Sequence, residues 1–243
     1  MIQLKVEKTR CGEIPLYIVH PLEKTGRSVI FYHGWSSDAH SQLTRACFLA
    51  VQGYTVYVPD AMNHGERNRL QDYYDPSAYD IFWKVIFQNT AEFPALCSLI
   101  REQGGGKPFV MGHSMGGMSV LHIAVSYPEQ VKGVVSFNGS GDWRLTHLFM
   151  QARFGMYVED DWKSYAEIKA CSPVNHVEKI KDLPVLLTNG EADGSVDPRA
   201  QEHFFAVLKG YSHSAERITY PGLGHFVTTN MMDDAVRWME SIR

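Results

Sequence analysis

The chain has 243 residues, of which 44% are hydrophobic and 21% charged, with a formal net charge of −4. That is enough apolar material for a buried core, and the lack of any basic cluster argues against a nucleic-acid or anionic-membrane binder. No apolar run reaches bilayer-spanning length. Cys11, Cys47, Cys97 and Cys171 are far apart with no Cys-x-x-Cys spacing, and as free thiols they suit a reducing cytoplasm.

Residues 2–8 and 13–20 alternate apolar and polar side chains around Cys11-Gly12, which predicts an antiparallel hairpin rather than a signal peptide. Ser28-Val-Ile-Phe-Tyr32 is a continuous apolar strand, buried on both faces as in a parallel sheet. A helix over 43–51 and a strand at 55–58 follow. Asp75-Pro76 reads as an acidic N-cap with proline at the first helical position, opening a helix that Pro94 kinks or breaks. Strands at 108–111, 133–137, 184–188 and 215–220 then alternate with helices at 115–127, 198–209 and 229–242. Alternation of this kind predicts an α/β fold: a doubly wound, mostly parallel sheet with an N-terminal antiparallel hairpin. The whole chain reads as one domain. Residues 139–183 form an insertion carrying Trp143, Phe149, Met150, Phe154, Met156, Tyr157, Trp162 and Tyr165. This segment is either a lid over a substrate pocket or an insertion packed onto the domain.

The stretch with the strongest chemical signal is Gly112-His-Ser114-Met-Gly116, set between a strand and a helix. A sharp strand-to-helix turn needs glycine on both sides and leaves the Ser114 hydroxyl at the positive end of the helix, as in a nucleophile elbow. A serine hydroxyl needs a base to take its proton and an acid to orient that base, and in this topology the order is Ser, Asp/Glu, His. The loop after the 184–188 strand offers Glu191, Asp193 and Asp197. Asp197 precedes Pro198 and suits an N-cap, Glu191 lies close to the strand end, and Asp193 between small neighbours can project freely. Asp193 is therefore the first choice as acid and Asp197 the second. His225 stands on the Gly-rich loop after the last strand and is the candidate base. His113 is assigned to packing around the elbow. His20, His40, His122, His147, His176, His203 and His213 have no evident partner in the sequence. His33, and His64 with Glu66 and Arg67, are read as braces of their loops. Two backbone N–H groups would hold an oxyanion, those of Met115 and of Trp35 after Gly34. No metal-ligand spacing occurs.

These residues together resemble the α/β-hydrolase superfamily, through His33-Gly34-Trp35, Pro59-Asp60 with Asn63-His64-Gly65, Gly112 to Gly116, Asp193 and His225. The resemblance runs from about residue 28 to the C-terminus. Within the superfamily it is closest to small bacterial carboxylesterases related to the prolyl-oligopeptidase and dienelactone-hydrolase groups. The resemblance implies Ser114 as nucleophile, Asp193 as acid, His225 as base, Trp35 and Met115 as oxyanion donors, and no cofactor. It points to hydrolysis of a short to medium acyl or aryl ester, a small-molecule substrate, through an acyl-enzyme. A thioesterase or peptidase with the same triad is the alternative, and a ligand-binding relative without catalysis stands behind both. No propeller domain precedes this one in the chain, which argues against an oligopeptidase.

Overall fold

Strands with no polar alternation belong in a sheet covered on both faces, and the central strands here are of that kind. The computed structural model describes residues 4–154 and 163–242. Its eight strands are β1 (Lys5–Cys11), β2 (Ile14–His20), β3 (Ser28–Tyr32), β4 (Thr55–Pro59), β5 (Phe109–His113), β6 (Gly133–Phe137), β7 (Val185–Gly190) and β8 (Ala215–Tyr220). They form one sheet in the order β1-β2-β4-β3-β5-β6-β7-β8. β2 pairs antiparallel with both β1 and β4, and every other pairing is parallel.

Alternate residues of each central strand serve opposite faces. Val29, Phe31, Phe109, Met111, Val135, Phe137 and Leu186 pack with α1 (Leu43–Val51) and α7 (Thr229–Ser241). Ile30, Tyr32, Val110, Val134, Val185 and Leu187 pack with α2 (Ala78–Glu102), α3 (Met115–Ser126) and α6 (Pro198–Lys209). Between β6 and β7 lie α4 (Trp143–Phe154), α5 (Lys163–Cys171) and a 3-10 stretch, Pro173–Ile180. The carboxyl ends of β3, β5, β7 and β8 therefore open on one rim, where the four loops of chemical interest meet.

Two expectations need correction. The second helix begins at Ala78 rather than at Asp75. Asp75 Oδ1 instead accepts the Ser77 N–H at 2.8 Å, while the Asp75 and Pro76 carbonyls accept from Ala78 and Tyr79. Those contacts make a separate turn ahead of the helix. Of the kink or break expected at Pro94, the break does not occur, since the helix runs on to Glu102. An interior proline costs roughly 3 kcal/mol. Phe93, Leu96, Cys97 and Ile100 beside it are all buried against the sheet, and each large apolar side chain returns about 1.5–3 kcal/mol. Tertiary burial outweighs the local penalty.

Candidate active site

The elbow is set by steric exclusion. A Cβ on Gly112 would lie 2.3 Å from the Gly116 carbonyl oxygen, and one on Gly116 would lie 2.2 Å from the Tyr32 carbonyl oxygen. β5 can thus turn directly into α3 only with glycine at both places. Ser114 between them has φ 57°, a left-handed conformation that a serine adopts at a cost and that concentrates at functional sites. Its N–H donates to Phe137 O at 2.9 Å, tying the turn to the end of β6. Gly116→Ala should destabilise the fold by on the order of 3 kcal/mol, since the clash is with backbone that cannot rotate away. Urea unfolding checks this, and a midpoint equal to wild type would refute it.

Asp193 and His225 meet across two loops, with Asp193 Oδ2 accepting from His225 Nδ1 at 2.7 Å. The carboxylate side chain is fully buried and its other oxygen accepts the N–H groups of Ser195 at 2.8 Å and Val196 at 3.0 Å. An ionised carboxylate can only accept, so this arrangement puts the proton on Nδ1 and leaves Nε2 with a free lone pair. The loops are held by Glu191 N–H to Tyr220 O and Ala192 N–H to Leu223 O. Gly190 allows that contact, because a Cβ there would lie 2.3 Å from Leu223 O. The competing acids have other work. Asp197 caps α6 through the Arg199 N–H, and Glu191 accepts from the Thr219 hydroxyl.

His225 also packs on His113, the residue before Ser114, with ring centroids 4.7 Å apart. The His113 Nε2 is buried with no hydrogen-bond partner among the described residues. Burial, and then the nearby His225, push the His113 imidazole down to about 3. Near neutral pH it therefore stays uncharged and adds no positive charge beside His225. The sequence assigned His113 to packing, and packing is its role, but the ring it packs against is the candidate base.

The β3 loop passes close to the elbow. A Cβ on Gly34 would sit 3.3 Å from both His113 O and Ser114 Cβ. Neither the Trp35 N–H nor the Met115 N–H donates to another group among the described residues. Met115 is the first residue of α3, where the helix supplies no acceptor. The loop is braced as the sequence suggested. The Ala61 N–H donates to His33 Nε2 at 3.0 Å, so Nδ1 carries the proton and donates to Gly34 O at 2.8 Å. The Ser36 N–H donates to His64 Nε2, and His64 Nδ1 to Met62 O. Burial lowers both imidazoles to about 4. Arg67 makes a two-pronged pair with Glu92 of α2, and Glu66 pairs with Lys8. The Trp35 indole N–H donates to Tyr73 O at 2.8 Å, which holds its side chain.

Part of the insertion packs onto the domain. Trp143 is fully buried against Trp83, Phe87 and His122, and Tyr165 is buried against His147, so both pack the segment onto the domain. Phe149 and Met150 border a cavity of about 230 Å³ with Ala152, Ser195, Asp197 and Arg199. Met156, Tyr157 and Trp162, and the side chain of Phe154, lie outside the described residues. Some histidines left without a role in the sequence have partners in space. His203 pairs with buried Asp142 at 2.8 Å, His147 with the Tyr79 hydroxyl, and His122 with the Thr90 hydroxyl. Sequence separations of 32 to 68 residues hid those pairs. Among the described residues no group of three His, Cys, Asp or Glu side chains could hold a metal ion, and no helix is long and apolar enough to cross a membrane.

Residues 102–241 match the prolyl oligopeptidase family, and residues 27–167 match the α/β-hydrolase fold family. The chain is similar to the esterase YjfP of Escherichia coli, at 28% identity over 96% of this chain and 97% of that one. It is also 28% identical to the S-formylglutathione hydrolase of Paracoccus denitrificans, over 78% of this chain and 72% of that one. Among solved structures, TT1662 from Thermus thermophilus superposes with a TM-score of 0.85 at 20% identity, covering 99% of this chain and 98% of that one. Since each family match covers more than half of the chain, this protein is an enzyme of the hydrolase class that belongs to the α/β-hydrolase fold and, within it, to the prolyl oligopeptidase family.

Proposed function

We propose that the chain is a serine carboxylesterase acting on short to medium acyl or aryl esters. The observation that carries this reading is the 2.7 Å contact between Asp193 and His225, with the His225 ring packed beside the elbow that bears Ser114. Ser114 Oγ attacks the ester carbonyl while His225 Nε2 takes its proton. The negative oxygen that develops is held by the N–H groups of Trp35 and Met115. Asp193 keeps the imidazole in the tautomer that can accept and stabilises the imidazolium as it forms. Collapse expels the alcohol, which receives the proton from His225, and water then hydrolyses the acyl-enzyme by the same steps. The two donor residues, Trp35 and Met115, lie in an apolar core cluster with Phe82, Met118 and Val196, and apolar surroundings suit an acyl or aryl group. The similarity to the Escherichia coli esterase supports the same reading.

A thioester substrate is the second reading, favoured by the similarity to S-formylglutathione hydrolase. The chain works as one domain, with α4 contributing to a cover. A cytoplasmic location fits the four cysteines, all free thiols. The test is labelling with a fluorophosphonate probe followed by peptide mapping, beside hydrolysis of p-nitrophenyl acetate, p-nitrophenyl butyrate, an acyl thioester and an aminoacyl amide. The expected result is an adduct on Ser114, with ester turnover lost in step with labelling and absent in Ser114→Ala. Ester hydrolysis that survives in Ser114→Ala sinks the reading.

A further inference from the structure

Asn138 follows the last residue of β6 and is fully buried, with φ 46°. That left-handed conformation carries a cost for any residue but glycine, and asparagine tolerates it better than most. The side chain bridges two loops. Its Oδ1 accepts the Gly190 N–H at 2.9 Å, and its Nδ2 donates to Phe226 O at 2.8 Å. Gly190 ends β7, three residues before Asp193, and Phe226 directly follows His225. The backbone ties in a third segment, because Phe137 O, one residue earlier, accepts the Ser114 N–H at 2.9 Å. The Asn138 N–H itself donates to Thr188 O at 2.8 Å.

One partner is a donor and the other an acceptor, so the side chain must present one of each, which fixes its amide orientation. Aspartate has no donor to offer Phe226. Glutamine is longer by a methylene, in a site with no exposed surface. We propose that Asn138 is a positioning residue for the hydrolytic reaction, holding the loops of Asp193 and His225 in register with each other and with the elbow. The proposal rests on the roles given above to Ser114, Asp193 and His225. The bridging atoms of Asn138 are all engaged by backbone of this chain, so its loss should misalign the imidazole without weakening substrate binding.

The test compares wild type with Asn138→Gly and Asn138→Asp, using p-nitrophenyl butyrate and the rate of fluorophosphonate labelling. Glycine takes φ 46° without strain, so Asn138→Gly removes the bridge while relaxing the backbone. The expected result is a fall in kcat on the order of 10²-fold, the scale of a small misplacement of a catalytic group. KM should stay within about twofold, the signature of an interaction that matters only in the transition state. Labelling of Ser114 should slow in parallel. A merely conformational role would leave Asn138→Gly at wild-type kcat, and that result, or a raised KM with kcat unchanged, overturns the proposal. Should Asn138→Gly fail to fold, Asn138→Asp answers the same question, since it keeps the acceptor for Gly190 and loses the donor for Phe226. It must then show the kcat loss with KM kept. A wild-type protein that takes no label on Ser114 sinks the hydrolytic reading and this proposal with it. A labelled wild type beside an Asn138→Gly of unchanged kcat overturns the role of Asn138 alone.

Discussion

Replacing Asp193 by asparagine should lower kcat by about 10⁴-fold, the cost of holding a catalytic imidazole in the wrong tautomer. The reason lies in the contacts of the carboxylate. One oxygen accepts the N–H groups of Ser195 and Val196, and the other accepts the His225 Nδ1–H. An asparagine amide has one acceptor and one donor end. With the donor turned toward Ser195 and Val196, it would face two N–H groups inside a buried loop, which is the costlier choice. The oxygen therefore stays on the loop, and the amide N–H points at His225 Nδ1. That nitrogen must then give up its proton, which moves to Nε2, the atom required to accept from Ser114. The side chain keeps its size, so the fold should survive. Steady-state hydrolysis of p-nitrophenyl butyrate with circular dichroism on the same sample is the check. A loss below about tenfold would mean that Asp193 does not set the tautomer.

Acid should destabilise this protein steadily below about pH 6.5, where a free imidazole takes up its proton. Burial lowers His33, His64 and His122 from 6.5 to about 4, and His113 to about 3. In the unfolded chain these rings take protons near 6.5, while in the folded chain they remain neutral until roughly 4. Between those values the unfolded state binds more protons, so stability falls as the pH falls through the window and is fully restored above it. Each ring contributes about 1.4 kcal/mol per pH unit there, less where two share a cluster. His33 and His64 do share one, with ring centroids 5.1 Å apart. Several kcal/mol should be gone by about pH 4.5, against a total on the order of 5–15 kcal/mol for a folded domain. Urea midpoints measured at intervals from pH 7 to pH 4.5 should decline steadily, and a flat series would refute the account.

Where the sequence spoke clearly, the physics was local. The Gly112 clash is with Gly116, four residues on, so that half of the elbow could be read directly, whereas the Gly116 clash is with the Tyr32 carbonyl of β3 and belongs to the packed sheet. The apolar runs of β3 and β6 reflect burial on both faces of one strand, and Asp197-Pro198 is a cap and first-turn pair that depends on no distant partner. Even the choice of Asp193 over Asp197 rested on local grounds, one acid being free to project and the other committed to a helix end.

The rest depended on which parts of the chain meet. Pro94 signals a kink or a break, and only the burial of Phe93, Leu96 and Ile100 against the sheet explains why α2 continues. The sequence leaves Trp143 open between pocket lining and packing, and it is a core residue, since Trp83 and His122 come to it from other helices. His113 beside His225, and Asn138 between Gly190 and Phe226, join segments 52 to 112 residues apart. The chain by itself determined the strands, the elbow and the side chains able to do chemistry, because an apolar run and a glycine-flanked serine between strand and helix are legible within a few residues. Tertiary structure alone decided which of those side chains touch and what holds them, because a hydrogen bond or ring contact depends on distances set by the packed sheet and not by neighbours along the chain.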